Sequence, residues 1–519
     1  MQLTHAPQAK MVVATAVTAP PYCFFCLGFK LQGTNHIVHE RNSAPLWQAF
    51  FLIIGKDKAT STARTGAPRS RLTTAERQVQ DALAAQYPGL PPRMAATQIL
   101  VDHLAGLSPD RPLSETMATR LSALDQRDAS LARSIVMVSL RRLGSLRHIL
   151  ARQLERGTPK NSGQLEWILI VGAAQVLFLD IPDHAAVDLA VRAARLDLKA
   201  SAYVKLVNGV LRTMARERDS LLATVASAEI DTPQWLLTRW RKTYGPATVS
   251  DIAAANREQP TIDLTVKSDP AGWASRLGAV VTVTGSVRLL DHSQISGLPG
   301  YEQGEWWVQD AAAALPARLL RVSVGMRVGD FCAAPGGKTA QLAQTGADVV
   351  AIDRSAERLK RLAANMERLD LKVETLVADA STLKTQPFDA ILVDAPCMAT
   401  GTIRRHPDVA WTKKPGDMAA LTALQARLLD AATRLLKPGG MLVYCTCSLE
   451  PEEGEMQIAA LLRRNPDMMR EPIAPSEIGG LTMCINASGE LRTLPQHMPD
   501  VQPRLSGLDG FFAARLRRR

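Results

Sequence analysis

Two cysteines stand where thiol chemistry would need them. Cys397 closes the run Asp394-Ala-Pro-Cys397, and Cys447 lies inside Tyr444-Cys-Thr-Cys-Ser448. Each follows a short apolar stretch of strand character, residues 389–394 and 441–445. The thiolate is the nucleophilic form of cysteine, and a free thiol ionises only near a pKa of about 8.5, so a neighbouring positive charge would help. A thiolate that bonds a substrate and later leaves divides one difficult step into two. Either cysteine alone could be a small core filler, since cysteine is among the most buried residue types. Two at the binding edge of one sheet are harder to explain by packing. Cys445 adds a third thiol two residues before Cys447, on the same strand face, and its role is open.

The run Asp330-Phe-Cys-Ala-Ala-Pro-Gly-Gly-Lys-Thr339 ends one strand and opens a helix. Gly336 and Gly337 let backbone approach a ligand without side-chain obstruction. Gly337-Lys338-Thr339 fits the end of a phosphate-binding loop, but Cys332 occupies the leading glycine position, so the cradle is incomplete. The dinucleotide pattern G-x-G-x-x-G is absent. The next strand ends at Asp353, whose carboxylate could accept from both hydroxyls of a ribose. A third strand leads to Asp379, placed for an adenine edge. Each aspartate could instead cap a helix. An adenosine-bearing ligand without a phosphate cradle points to S-adenosylmethionine.

A sulfonium methyl donor beside two thiols suits an inert carbon such as C5 of cytosine. Thiolate addition at C6 makes C5 carbanion-like, and loss of the C5 proton later ejects the thiol. Lys338 and the sulfonium could favour the thiolate, and Asp394 could hydrogen-bond the cytosine edge and support the charge shift at N3. The base must leave any stack to meet these groups.

The elements that would position these residues alternate regularly. Strands are predicted over residues 327–332, 348–353, 372–377, 389–394 and 441–445, separated by helices such as 356–368 and 418–436. That alternation means a mostly parallel sheet covered by helices on both faces. Ligands bind outside the carboxyl ends of such strands, where the motifs fall. Upstream, Ala96, Ile99, Leu100 and His103 recur at helical spacing. So do Val187, Ala190, Val191, Ala194 and Leu198, and residues 167–179 form an apolar helix between the two groups. Residues 218–320 alternate Pro, Gly and short β-branched runs such as 261–266 and 280–287, which reads as a small mixed module. The expected division is an extension over 1–75, a helical domain over 76–220, an α+β module over 221–320 and an α/β domain over 321–519.

The whole-chain totals agree. A chain of 519 residues is too long for one ordinary domain. Its formal net charge of +11 fits a polyanionic partner. Seven scattered cysteines are not a disulfide framework, which favours reduced thiols and a cytoplasmic location. Cys23 and Cys26 form a C-x-x-C pair without a second pair at metal-ligand spacing, so no metal is expected. Residues 11–29 vaguely resemble a signal peptide, but Pro20 and Pro21 interrupt them, and residues 46–54 are too short to span a bilayer. Residues 55–75 read as a linker.

Residues 301–519 resemble the RNA cytosine-C5 methyltransferase family that uses two cysteines. The matching stretches are DFCAAPGGKT, VDAPC, RRHPDVAW, YCTCSLEPEE and DGFFAARL. The resemblance implies that Cys447 is the nucleophile and that Cys397 assists product release, with Asp394 and Lys338 beside them. It implies cofactor contacts at Cys332, Ala333, Ala334, Pro335, Gly336, Gly337, Lys338, Asp353, Asp379 and Asp394. The helical region resembles a NusB-like RNA-binding domain, through Arg127-Asp128, Leu140-Arg-Arg-Leu-Gly144 and Val207-Asn-Gly-Val-Leu-Arg212. The segment from Pro233 to Asn256 resembles the family's small N-terminal RNA-binding module.

The implied fold is multidomain: an all-α NusB-like domain, a small α+β module and an α/β Rossmann-like class I methyltransferase domain. The order is similar to that of bacterial members acting on small-subunit (16S) ribosomal RNA. That RNA is the implied partner, with no membrane and no DNA, for a chain expected to be a monomer. Cys445 and Gly454 depart from the family pattern.

For RNA contact, Arg404 and Arg405 and the tail residues Arg515, Arg517, Arg518 and Arg519 could neutralise phosphates; the tail could also be a solvated end. Trp411 could stack on a base or pack in a core. The rival reading is a non-enzymatic RNA-binding assembly factor. It would be expected to have lost the glycine turn or Cys447, and both are intact. Transfer RNA is a nearer alternative substrate.

Overall fold

The computed structural model describes residues 82, 84–104, 112–291 and 294–519. The 1–75 extension, the Cys23–Cys26 pair and the 55–75 linker lie outside the described residues.

The helical part comprises α1 (Leu90–Leu104), α2 (Leu113–Leu121), α3 (Gln126–Arg141), α4 (Leu143–Gln153), α5 (Leu165–Phe178), α6 (Asp183–Leu196) and α7 (Val204–Arg216). Its centre is α5, which is apolar on every side and therefore must be covered all round. Its neighbours are amphipathic. α6 buries Ala186, Val187, Ala190 and Ala194, and α7 buries Val207, Val210, Leu211 and Met214. The predicted α6 stripe extended to Leu198, but the helix stops at Leu196, and Leu198 is exposed.

After a short helix over Arg218–Thr224 come α8 (Gln234–Tyr244) and α9 (Pro246–Arg257). Leu236, Leu237, Trp240, Val249 and Ile252 pack on Ile403, Val409, Ala410, Leu449 and Leu494 of the C-terminal part. The small antiparallel sheet has a separate core around Trp273 and Trp306. Its strands β1 (Asp263–Val266), β2 (Ala279–Val281), β3 (Val287–Leu289) and β4 (Trp306–Val308) lie in the order β2-β3-β1-β4, with α10 (Pro270–Leu277) alongside. The run expected at 280–287 is thus two strands, joined through Gly285 at φ 84°.

The C-terminal part holds β5 (Arg327–Phe331), α11 (Gly337–Gln344), β6 (Asp348–Asp353), α12 (Ala356–Arg368), β7 (Glu374–Val377), β8 (Phe388–Asp394), α13 (Asp417–Leu435) and β9 (Leu436–Thr446). It is completed by β10 (Met468–Arg470), β11 (Leu491–Thr493) and β12 (Phe511–Arg518). The sheet order is β10-β12-β9-β8-β5-β6-β7, with β11 also on β12. β9, β8, β5, β6 and β7 are parallel; β12 pairs antiparallel with its neighbours. From β5 the chain winds outward through β6 and β7, then returns to β8 on the other side. That reversal opens a crevice beyond the carboxyl ends of β5 and β8.

Side chains alternate strictly across this sheet. Ala390, Leu392, Met441, Val443 and Cys445 enter one core layer, and Ile391, Val393, Leu442 and Tyr444 the other. Cys447 packs on the layer that holds Cys445, as the strand period requires.

The C-terminal tail is not a solvated end. Phe511 to Leu516 are buried in β12 against β9. Arg515 is 2% exposed, with its guanidinium on Glu477 at 2.6 Å and on the Leu319 and Pro472 carbonyls. Arg517 pairs with Glu471 at 2.7 Å, and Arg518 donates to the Leu436 carbonyl. Arg515 is buried on protein acceptors, which corrects its assignment to phosphate.

Candidate active site

The glycine turn lies where β5 hands over to α11. Cys332 has φ 62° and Gly336 φ 102°. Gly336 therefore holds a conformation that a side chain would strain. The Cys332 thiol is pushed up to about 12 by burial and the nearby Asp353 and Asp394 carboxylates. Thr339 Oγ1 donates to Asp330 Oδ2 at 2.6 Å, while Asp330 Oδ1 is buried without a partner. Burial raises that carboxyl to about 7.

Asp353, at the end of β6, turns its carboxylate toward the same turn. It accepts from Ala334 N at 3.3 Å, Ser355 N at 2.9 Å and Arg358 Nη1 at 3.2 Å. Arg358 also donates to the Ala334 carbonyl, a brace that no sequence signal announced. Asp379 follows β7, is exposed and caps a short 3-10 turn; Oδ1 accepts from Ser381 N at 2.8 Å and Oγ at 2.7 Å. Those bonds hold its carboxyl below the usual range.

At the end of β8, Asp394 meets Lys338 of α11. Lys338 Nζ donates to Asp394 Oδ2 at 2.8 Å and sits 4.9 Å from the centre of the Phe511 ring. Burial works against the ammonium, but Asp394, with Cys445 and Cys447 nearby, outweighs it and holds the lysine pKa above its ordinary value. Cys445 donates from Sγ to Asp394 Oδ1 at 3.5 Å.

The two cysteines singled out in the sequence are neighbours, Cys397 Sγ lying 3.6 Å from Cys447 Sγ. Both are partly accessible. The hydrogen bond to Cys447 and burial push the Cys397 thiol well above its ordinary pKa. Backbone contacts fix the pair. Ala395 N donates to Cys445 O at 3.0 Å, and Gly401 N to Cys447 O at 2.9 Å. Met398 N donates to both oxygens of Glu453, at 3.1 and 3.0 Å, and Gln425 ties Glu453 to the Pro396 carbonyl. Glu453 and Gln425 had no assigned role in the sequence; Glu453 stands in the YCTCSLEPEE stretch, but nothing marked its partner. At Gly454, a Cβ would stand 2.8 Å from the Phe512 ring, so glycine is required by packing here.

Most of the RRHPDVAW segment is buried, although His406 is exposed. Arg404 is 3% exposed and donates to Ser506 O at 3.2 Å. Arg405 bonds Asp310, Asp509 at 3.1 Å and the Thr261 carbonyl at 2.8 Å, with Asp263 at 3.4 Å. Burial opposes its charge, and these carboxylates outweigh burial, so it stays cationic. Arg405 is neutralised internally and Arg404 is buried, which corrects the phosphate assignment for both. Trp411 packs rather than stacks on a base: Nε1 donates to Leu140 O at 2.9 Å on α3. With Arg141 Nη2 on Arg404 O at 2.8 Å and His103 on Asp408 at 3.0 Å, the segment docks onto the helical domain.

A sheet that reverses at β5, a glycine turn at that reversal and carboxylates at successive strand ends define a Rossmann-like nucleotide-binding domain. Comparison with known proteins makes this specific. Residues 317–517 match the family model for 16S rRNA methyltransferase RsmB/F, and residues 90–216 match the NusB family. The Klebsiella pneumoniae protein named ribosomal RNA small subunit methyltransferase B is 34% identical, with 78% of this chain and 94% of that protein covered. The Vibrio cholerae protein of the same name is 36% identical over 71% of this chain and 88% of that one. The crystal structure of PH0851 shares the fold with a TM-score of 0.63 at 22% identity, covering 83% of this chain and 99% of that one.

The chain belongs to the RsmB/F family of RNA methyltransferases. Its architecture is a NusB-like helical domain, a small α+β module and a class I methyltransferase domain. Among the described residues no helix is long and apolar enough to cross a membrane, and no cluster of His, Cys, Asp and Glu has the makings of a metal site.

Proposed function

We propose that this protein methylates C5 of a cytosine in small-subunit ribosomal RNA through a covalent bond from Cys447 to C6. The observation that carries the reading is the 3.6 Å approach of the Cys397 and Cys447 sulfurs beside the Lys338–Asp394 ion pair. The RNA follows from the curated relatives, which are named for the small ribosomal subunit.

S-adenosylmethionine fits the donor set. Asp353 and Asp379 at successive strand ends suit ribose hydroxyls and an adenine edge, and the turn from Cys332 through Ala333, Ala334, Pro335, Gly336 and Gly337 to Lys338 brings backbone close. When bound, it supplies an electrophilic methyl group on a sulfonium.

The residues of the chain do the rest. The Cys447 sulfur bonds C6, which makes C5 nucleophilic toward the methyl group. Asp394, oriented by Lys338, accepts a hydrogen bond from the cytosine amino group and so holds the ring over the Cys447 sulfur. In the release step the C5 proton passes to solvent, its electron pair restores the C5–C6 double bond, and the S–C6 pair returns to Cys447. Cys397, its sulfur 3.6 Å from that of Cys447, hands its proton to the departing thiolate. A cytosine inside a helix hides this face, so the substrate is single-stranded or locally opened RNA.

The test is methyl transfer from labelled donor to 16S ribosomal RNA, followed by nucleoside analysis. Native protein yields 5-methylcytosine and Cys447→Ala yields none, while donor binding persists. Unchanged turnover by Cys447→Ala rejects the reading, and RNA binding without transfer by the native protein favours the assembly-factor alternative. Label in transfer RNA instead would move the substrate and leave the chemistry.

A further inference from the structure

Cys445 is the thiol that neither nucleophilic attack nor product release employs. It is 0% exposed in β9 and stands in register with Asp394 of the parallel neighbour β8. Its Sγ approaches Asp394 Oδ1 at 3.5 Å, while Lys338 Nζ donates to Oδ2 at 2.8 Å. Each carboxylate oxygen therefore has one protein donor. A carboxylate held on one oxygen alone still swings about its terminal torsion, which is broad. Two donors, one on each oxygen, fix its plane. The Asp394 side chain remains 32% exposed, and a carboxylate has about four acceptor sites, so capacity is left for a ligand.

We propose that Cys445 is a positioning residue: its S–H and the Lys338 ammonium together set the plane of the Asp394 carboxylate that meets the cytosine edge. This rests on the role given to Asp394 above. Burial and the adjacent Asp394 charge keep the thiol protonated, so it acts as a donor and not as a second nucleophile.

The test compares substitutions that keep a donor with substitutions that lack one. In the full-length protein, with S-adenosylmethionine and 16S ribosomal RNA, Cys445→Ser is expected to hold kcat within about twofold of native. Cys445→Ala is expected to lower kcat about tenfold, the order of one hydrogen bond to a charged group, with the KM for the methyl donor unchanged. Cys445→Thr and Cys445→Val, a nearly isosteric pair, repeat the comparison with the cavity filled, and Thr is expected to exceed Val. Equal rates within each pair, at matched melting temperatures, overturn the proposal while leaving Cys447 as nucleophile. Retained turnover in Cys447→Ala would instead remove the reading on which the proposal rests.

Discussion

Gly401 and Gly510 touch backbone to backbone: a Cβ built on Gly401 would stand 1.9 Å from the Gly510 oxygen, and Gly510 N donates to Gly401 O at 2.8 Å. Gly401 N in turn donates to the carbonyl of Cys447. The loop that carries Cys397 is thereby clamped between the backbone of Cys447 and the entry to β12.

Gly401→Ala should therefore cost stability and activity together. The contact is with backbone, which cannot rotate away, so a loss of about 2–3 kcal/mol is expected from overpacking. Gly416→Ala, with nothing within 4 Å of its added carbon, is the control and should change stability by under about 0.5 kcal/mol. Denaturant melts of the two variants check this; equal midpoints would show that the clamp yields.

Cys397→Ala should stall release. With no hydrogen to offer the departing sulfur, the protein–RNA bond should accumulate and survive denaturing electrophoresis as a slow-migrating band. Multiple-turnover rates should fall by on the order of 10²-fold or more, the size of a lost general acid. Absence of the band with competent RNA and methyl donor would remove Cys397 from the release step.

Asp330 carries a pH signature. Its folded pKa of about 7 lies above the unfolded value of about 3.9, so between those values the folded state holds a proton that the unfolded state has lost. The stability it contributes is present below pH ~4 and is lost as pH rises toward 7. Asp330→Asn removes this dependence and leaves an acceptor for Thr339. The melting temperature of the variant relative to native should rise between pH 5 and about pH 7 and level off above it, in the protein without ligands. A difference that does not vary with pH would mean that Asp330 is charged throughout.

Much of the site was legible because its residues sit in short motifs at strand ends. The turn from Cys332 to Lys338, Asp353, Asp394 and the two cysteines each follow an apolar run, and the parallel sheet gathers those ends at the β5 reversal. The parity of Cys445 and Cys447 followed from the strand period alone. Charge was the poor guide. Arg404, Arg405 and Arg515 looked like phosphate ligands, yet the partners of Arg405, Asp263 and Asp310, lie 142 and 95 residues away in sequence. No local pattern shows that a guanidinium will be met by buried carboxylates. The tail misled for the same reason: four arginines near the end of the chain suggested solvent, while Phe511 and Phe512 before them and Leu516 among them were the signature of β12.

The most direct test of the account is the identity of the sulfur that bonds the RNA. RNA carrying 5-fluorocytosine at the target cannot lose a proton from C5, so the adduct formed with S-adenosylmethionine persists and can be digested and sequenced by mass spectrometry. The account requires the nucleotide mass on Cys447, with Cys397 and Cys445 unmodified. A mass on either of those residues, or methyl transfer to normal RNA with no adduct on any cysteine, would contradict it.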